Sequence, residues 1–160
     1  MAPFDYQDSK NLLNGQAFGN DFRFWFADSG WSQIADPAYE GDNAAYFSVT
    51  IPEGMGGDQW QGQVHIPFDN VTLSASKNYN FSIVVIADNA VPGLTVKPQN
   101  DGDDNQFLSA DRHAIAANVP TAIVLTGCPG FDGKFRLCLD FAGTPAGTNV
   151  KILNMYVSEQ

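Results

Sequence analysis

What this chain has least of is helix. Only three of its 18 acidic residues are Glu, at Glu40, Glu53 and Glu159, while Asp, Asn, Gly, Ser and Thr abound. That is the composition of loops and turns. No window carries an apolar stripe at a period of 3.6, so helical and α/β architectures have nothing to stand on. Long apolar runs are also missing: none approaches the roughly 20 residues of a membrane-spanning helix. Basic residues are scarce, 8 Lys and Arg against the 18 acids, and the formal charge of -10 repels phosphate backbones and anionic lipid surfaces. Neither nucleic acid nor a membrane is an expected partner. The two cysteines, Cys128 and Cys138, are too few for a metal cluster or a disulfide-dense mini-fold. In an exported module they would be free to pair. A hairpin turning through residues 129–133, however, would set Cys138 opposite residues that precede Cys128, which makes a direct bond awkward. The start, Met1-Ala2-Pro3, has no charged region followed by an apolar one, so no signal peptide is expected here, as also holds for a domain excised from a larger exported protein.

What is present is hydrophobic and aromatic: 44% and 12% of 160 residues, including 12 Phe, with only 16% charged. Such a chain folds, and its length suits one domain over residues 1–160, with 1–10 as a partly ordered lead-in. From residue 46 onward short alternating segments are punctuated by turn residues. Residues 45–51 place Phe47, Val49 and Ile51 on one face, and Pro52 with Gly54, Gly56 and Gly57 ends the segment. Trp60 opens the next, with Val64, Ile66 and Phe68 apolar and Gln61, Gln63 and His65 alternating with them. Residues 79–87 read as a central strand. Residues 93–97 read as a shorter one that leads into a polar loop over 98–105, and segments at 107–115, 121–126, 134–141 and 150–157 follow. In 134–141, Phe135, Leu137, Leu139 and Phe141 face one way and Arg136, Cys138 and Asp140 the other. This makes about eight to ten strands, expected to form an all-β jelly-roll sandwich of two antiparallel sheets.

The chemistry that a catalyst needs is thin. A glycoside hydrolase requires two carboxyls flanking the bond, roughly 5–10 Å apart, and the three Glu residues sit in unrelated contexts. His65 and His113 have neither HxH nor HExxH spacing, and no GxSxG or P-loop occurs. The run Asn100-Asp101-Gly102-Asp103-Asp104-Asn105 has oxygen donors at alternate positions, which makes Asp101, Asp103 and Asn105 candidates for a structural calcium. It lacks the bidentate Glu of an EF-hand, and a solvated acidic turn explains it more simply.

Several fragments, in order, resemble the family 4 carbohydrate-binding modules and their relatives in families 9, 16 and 22. They are Asn11-Leu12-Leu13-Asn14-Gly15 with Phe18-Gly19, then Lys77-Asn78-Tyr79-Asn80-Phe81-Ser82, then the stretch from Ala146-Gly147-Thr148 to Val157. Trp60-Gln61-Gly62-Gln63 and Asn105-Gln106-Phe107 with Arg112 look most like the sugar-contacting segments of the xylan-binding members. The resemblance implies that Trp60, Gln63, Phe107 and Arg112, with Gln61 beside them, line a cleft on the concave sheet, completed by Arg136 or Asp140. It also implies that xylan or xylo-oligosaccharides are the ligand, that no cofactor is required, and that a parent glycoside hydrolase shares the polypeptide outside the cell, the module being a monomer. Two departures stand out. Where the family carries a calcium-holding Asp this chain has Leu153 followed by Asn154, and Trp60 and Gln63 differ in strand parity, so an irregularity must lie between them.

The residue types suit that reading. A pyranose ring has an apolar face and a polar rim, so its site wants flat aromatic rings beside amides, guanidinium and carboxylate. Core packing competes as an account of Trp60 and Phe107, and a surface ion pair as an account of Arg112. Trp25 and Trp31 read as core or edge cover. The other functions kept in view are β-glucan binding, a glycan-cleaving enzyme on the same scaffold, and a structural or adhesive sandwich without a sugar ligand.

Overall fold

The computed structural model describes residues 8–13, 23–26, 30–33, 47–53 and 58–160. The expectations resting on Asn14, Gly15, Phe18, Gly19, Phe22, Glu40, Tyr46 and the glycines at 54, 56 and 57 lie outside these residues, as do the side chains of Trp25 and Trp31. The described strands are β1 (Arg23–Phe26), β2 (Gly30–Gln33), β3 (Phe47–Thr50), β4 (Gly62–Leu73), β5 (Tyr79–Ala87), β6 (Val91–Asn100), β7 (Asp103–Phe107), β8 (Arg112–Ile115), β9 (Thr121–Gly127), β10 (Gly133–Asp140) and β11 (Asn149–Glu159). Seven of them form one sheet in the order β2-β1-β4-β10-β6-β7, with β8 also on β6, and the other four run β3-β11-β5-β9. All pairings are antiparallel. The expected β-sandwich is what the chain forms.

Strand periodicity explains the core. Val64 and Ile66 of β4, Leu94 and Val96 of β6, and Phe135, Leu137 and Leu139 of β10 come from one sheet; Phe81, Ile83 and Val85 of β5 and Ile152 of β11 come from the other. All are buried in a single cluster, as the alternation on 134–141 requires. Stacked Phe68 and Phe135, with centroids 5.8 Å apart, form part of it. Each large side chain so buried contributes roughly 2–3 kcal/mol from apolar area alone.

Local pattern misplaces three features. Strand β6 runs through Asn100 instead of stopping near residue 97, and the expected loop is a tight hairpin, Asn100 pairing with Asp103 around Asp101-Gly102. Gly102 N donates to Asn100 Oδ1 at 2.9 Å, so this Asn closes the turn with its own side chain. The expected strand over 107–115 is two, since β7 ends at Phe107 and β8 begins at Arg112. Finally, β9 and β10 are not a hairpin: they belong to different sheets, and residues 129–133 cross the sandwich with Phe131 buried in the core. Cys128 is exposed, its thiol donating to Ala75 O, whereas Cys138 is buried on β10; both are free.

Residues 11–13 are tied to the closing strand. Asn11 is buried; its Nδ2 donates to Met155 O at 3.1 Å, and its Oδ1 accepts from Val157 N and Leu13 N, each at 3.1 Å. Leu12 N donates to Val157 O at 2.7 Å. One side chain therefore ties the described segment 8–13 to β11.

Candidate functional site

The face of the larger sheet that points away from the core is polar, and cross-strand register sorts it into rows. The first holds Gln63, Asp140, Thr95 and Arg112, on β4, β10, β6 and β8; the second His65, Cys138 and Lys97; the third Pro67, Arg136, Gln99 and Phe107, the last on β7. At the outer side of the first row, Trp25 of β1 pairs with Gln63 and Trp31 of β2 pairs with Trp25. Backbone register thus brings both tryptophans into line with the row.

Most of this floor is covered. His65, Thr95, Lys97, Gln99, Arg136, Cys138 and Asp140 are all buried, so their charges must be answered internally. Lys97 Nζ lies 2.9 Å from Asp140 Oδ2. Burial pushes the Asp140 carboxyl above its ordinary value, and the hydrogen bond and charge of Lys97 pull only part of the way back. The Cys138 thiol is pushed up by burial first and by the Asp140 charge second, which keeps it protonated and inert. Gln63 is half-buried, its Oε1 2.9 Å from His65 Nε2.

Arg136, expected as a sugar contact, is instead the clamp of the β6–β7 hairpin. Its Nε donates to Gln99 Oε1 at 2.7 Å, its Nη1 to Asp101 O at 3.1 Å and its Nη2 to Asp104 Oδ1, with Asp101 Oδ1 3.8 Å from Nη1. Gln99 Nε2 donates in turn to Asp104 O at 3.0 Å. Asp140, the alternative, lies under the surface as the partner of Lys97. The same clamp bears on calcium. Asp101 and Asp104 face a guanidinium, and Asp103 Oδ1 takes the N–H of Asn105 at 2.9 Å. These residues fit an internal ion pair and turn rather than a divalent cation, since a fixed positive charge among the donors opposes one. Among the described residues, no three His, Cys, Asp or Glu side chains converge as a metal site would need.

The exposed groups sit at the rim of the buried floor. Phe107 is 38% exposed; its pairing with Gln99, after three residues that bulge between the two β6–β7 pairings, turns it to the polar face. Lys97 Nζ stands 5.4 Å from its ring centroid, so an ammonium backs the ring beside the buried floor. Trp60 is 51% exposed, in a 3-10 turn (Gln59–Gln61) just before β4. That turn is the irregularity which the parity of Trp60 and Gln63 demands. Gln61 closes it, its Oε1 accepting from Asp58 N at 2.7 Å, so this amide has a structural occupation. Arg112 is exposed, and Nη2 donates to Gly93 O at 3.0 Å and Ala142 O at 2.8 Å.

Strand spacing sets the scale. Gln63 and Phe107 are three strands apart, roughly 14 Å, and four residues apart along the strands, roughly 13 Å, so the diagonal is roughly 20 Å. Trp60 lies beyond Gln63. The backbone positions of the two exposed aromatics therefore lie near opposite corners of one sheet, a separation for a chain of several sugar rings and too long for one. A separate depression at the end of the other sheet, lined by Ile86, Ala87, Asp88, Asn118, Asn149 and Lys151, offers no aromatic surface.

Sequence reasoning missed Lys97 and Gln99, hidden in what reads as an ordinary strand and loop, and Gly93. A Cβ on Gly93 would overlap Arg112 Nε, so the absence of a side chain there makes the seat for that guanidinium. Nothing local signals it.

No family model and no curated protein sequence matches the chain. Solved structures do match in shape. A family 4 carbohydrate-binding module is 18% identical with a TM-score of 0.57, over 93% of this chain and 81% of that one. The second N-terminal cellulose-binding domain of the β-1,4-glucanase C of Cellulomonas fimi is 14% identical at 0.56, over 98% and 99%. An N-terminal cellulose-binding domain of the same enzyme is 11% identical at 0.55, over 94% and 95%. At these identities the likeness is one of fold.

Proposed function

We propose that this chain binds an extended β-1,4-linked polysaccharide across the polar face of its larger sheet and performs no chemistry on it. The observation that carries the reading is that Trp60 and Phe107 are both exposed, near opposite corners of a sheet whose outward face is polar and whose buried cations Lys97 and Arg136 are matched by carboxylates. Flat apolar platforms stack on sugar rings, and Gln63 and Arg112 at the rim bond hydroxyls. A rigid floor of buried ion pairs keeps the platforms in place before a ligand arrives, which limits the ordering cost of binding. Asp140, the one buried carboxylate among the described residues of the floor, is held by Lys97 and shielded from solvent, which is a poor position for an acid or a nucleophile.

Xylan is the preferred ligand on the pattern Trp60-Gln61-Gly62-Gln63 and Asn105-Gln106-Phe107 with Arg112. The second reading is cellulose or another β-glucan, favoured by the similarity in fold to two domains described as cellulose-binding. In either case the module would direct an appended glycoside hydrolase to its substrate outside the cell, as a monomer and without a cofactor. Native gel retardation across soluble plant polysaccharides tests binding, and calorimetry with xylohexaose against cellohexaose separates the two ligands. Trp60→Ala is the decisive variant. Half of an aromatic side chain, about 100 Å², contributes about 2.5 kcal/mol on burial, and stacking about 1 kcal/mol more. Its loss takes micromolar binding out of range with the fold intact; unchanged affinity removes Trp60 from the site.

A further inference from the structure

Beside Lys134, exposed at the far end of β10, three cations stand near the rows of the polar face, Lys97, Arg136 and Arg112, and their company differs. Lys97 has Asp140, and Arg136 has Asp104 and Asp101, so both charges are answered within the protein. Among the described residues Arg112 forms no ion pair, and its charge reaches a carboxylate only in Asp140, whose carboxyl it helps to lower from within the same row. Its Nη2 donates to two main-chain carbonyls, Gly93 O and Ala142 O, and Asp111, its neighbour in sequence, makes no ion pair with it. Asp140, the nearest carboxylate in its row, is committed to Lys97. Carbonyl dipoles orient a guanidinium without cancelling its charge. The seat is shaped for it, since any side chain at position 93 would overlap Nε. The result is an exposed, pre-oriented guanidinium with hydrogen-bonding capacity to spare, on the rim of the face where the sugar chain is placed.

A neutral hydroxyl would use that capacity and leave the charge answered only in part, by Asp140; a carboxylate satisfies both, and the planar fork matches its two oxygens. We propose that Arg112 is a subsite for a sugar carboxylate, so that the preferred polysaccharide carries uronic acid, within the chain or as a branch. The inference rests on the polysaccharide-binding reading above. The chain's net charge of -10 acts against an acidic ligand at long range, but beyond roughly 8 Å physiological salt screens it, whereas a direct guanidinium contact is screened much less.

The test compares a β-1,4-xylo-oligosaccharide bearing one glucuronic acid branch with the same molecule after reduction of the carboxyl to an alcohol, by calorimetry at low and at physiological salt, and repeats the pair on a β-glucan backbone. The quantity read is the ratio of the two affinities, which is insensitive to a general loss of binding. The acid form is expected to bind about fivefold or more tightly, a ratio that shrinks as salt rises. In Arg112→Gln the ratio falls to one or below, and in Arg112→Lys part of it returns. Gly93→Ala, which keeps the charge but displaces the guanidinium, also lowers it. A wild-type ratio of one, or a ratio that survives Arg112→Gln with circular dichroism unchanged, overturns the carboxylate subsite alone. Absence of binding to all four oligosaccharides overturns the polysaccharide reading with it.

Discussion

Removing the Arg136 side chain separates a ligand contact from a structural clamp. In Arg136→Ala the Gln99 amide oxygen loses its donor inside a buried strand, Asp101 O loses another, and the exposed Asp104 carboxylate loses its partner. The first two, charge-assisted and shielded, count for roughly 1.5 kcal/mol each. The third ends on a carboxylate side chain that is 81% exposed, and solvent reduces it to at most about 1 kcal/mol. The sum is about 3–4 kcal/mol, or a fall of roughly 10 °C in melting temperature for a chain of this size. Phe107 is paired opposite Gln99 on the hairpin that Arg136 holds, so saccharide affinity should drop as far as it does in Phe107→Ala, and combining the two changes should add little. Thermal denaturation by circular dichroism and calorimetric titration of both singles and the double measure this. A large loss of affinity without loss of stability would mean that Arg136 touches the sugar itself, and the clamp argument would be refuted.

Other outcomes follow from the same geometry. Because burial raises the folded-state pKa of Asp140 above the usual 3.8, the stability this group contributes is fully present below that value and is lost as pH rises through the raised one. Asp140→Asn should therefore match the native protein in acid and become the more stable of the two towards neutral pH, as read by melting temperature against pH; the opposite trend would show that the ion pair outweighs burial. A thiol reagent should modify Cys128 quickly in the native protein and reach Cys138 only on unfolding, giving one fast equivalent, and two fast equivalents would contradict the buried floor. Chelator should leave the melting temperature unchanged, since Arg136 faces Asp101 and Asp104 and Asp103 accepts from Asn105 N; a clear fall would restore a calcium site. Asn11→Ala should cost about 2–3 kcal/mol through its three lost bonds to the backbone, and a change below about 0.5 kcal/mol in urea denaturation would show this tie to β11 to be dispensable.

Much of the fold was legible because a strand's side chains alternate with period 2, whatever its neighbours. That rule separates Phe135, Leu137 and Leu139 from Arg136, Cys138 and Asp140 correctly, and it matches β5 from Tyr79 to Ala87 at both ends. The exposed aromatics were picked out by the resemblance of their segments, while composition left core packing open for both; the structure leaves Trp60 51% and Phe107 38% exposed. Long-range pairing was not legible. Residues 129–133 look like a hairpin turn locally, yet they cross between sheets, because β9 and β10 each find better partners far away in sequence. Lys97, Gln99 and Gly93 acquire their roles only from what lies across the sheet.

By itself, the sequence determined the class of architecture, the two faces of each strand and the chemical kinds of group available for a ligand, since each of these depends on local composition and spacing. Tertiary structure alone decided which charges were spent inside the protein and which was left over. Arg136 and Arg112 are indistinguishable as residues, but one is buried against carboxylates and the other lies exposed against carbonyls. An ionic group's free energy is set by the dielectric and the partners around it, and the fold supplies both.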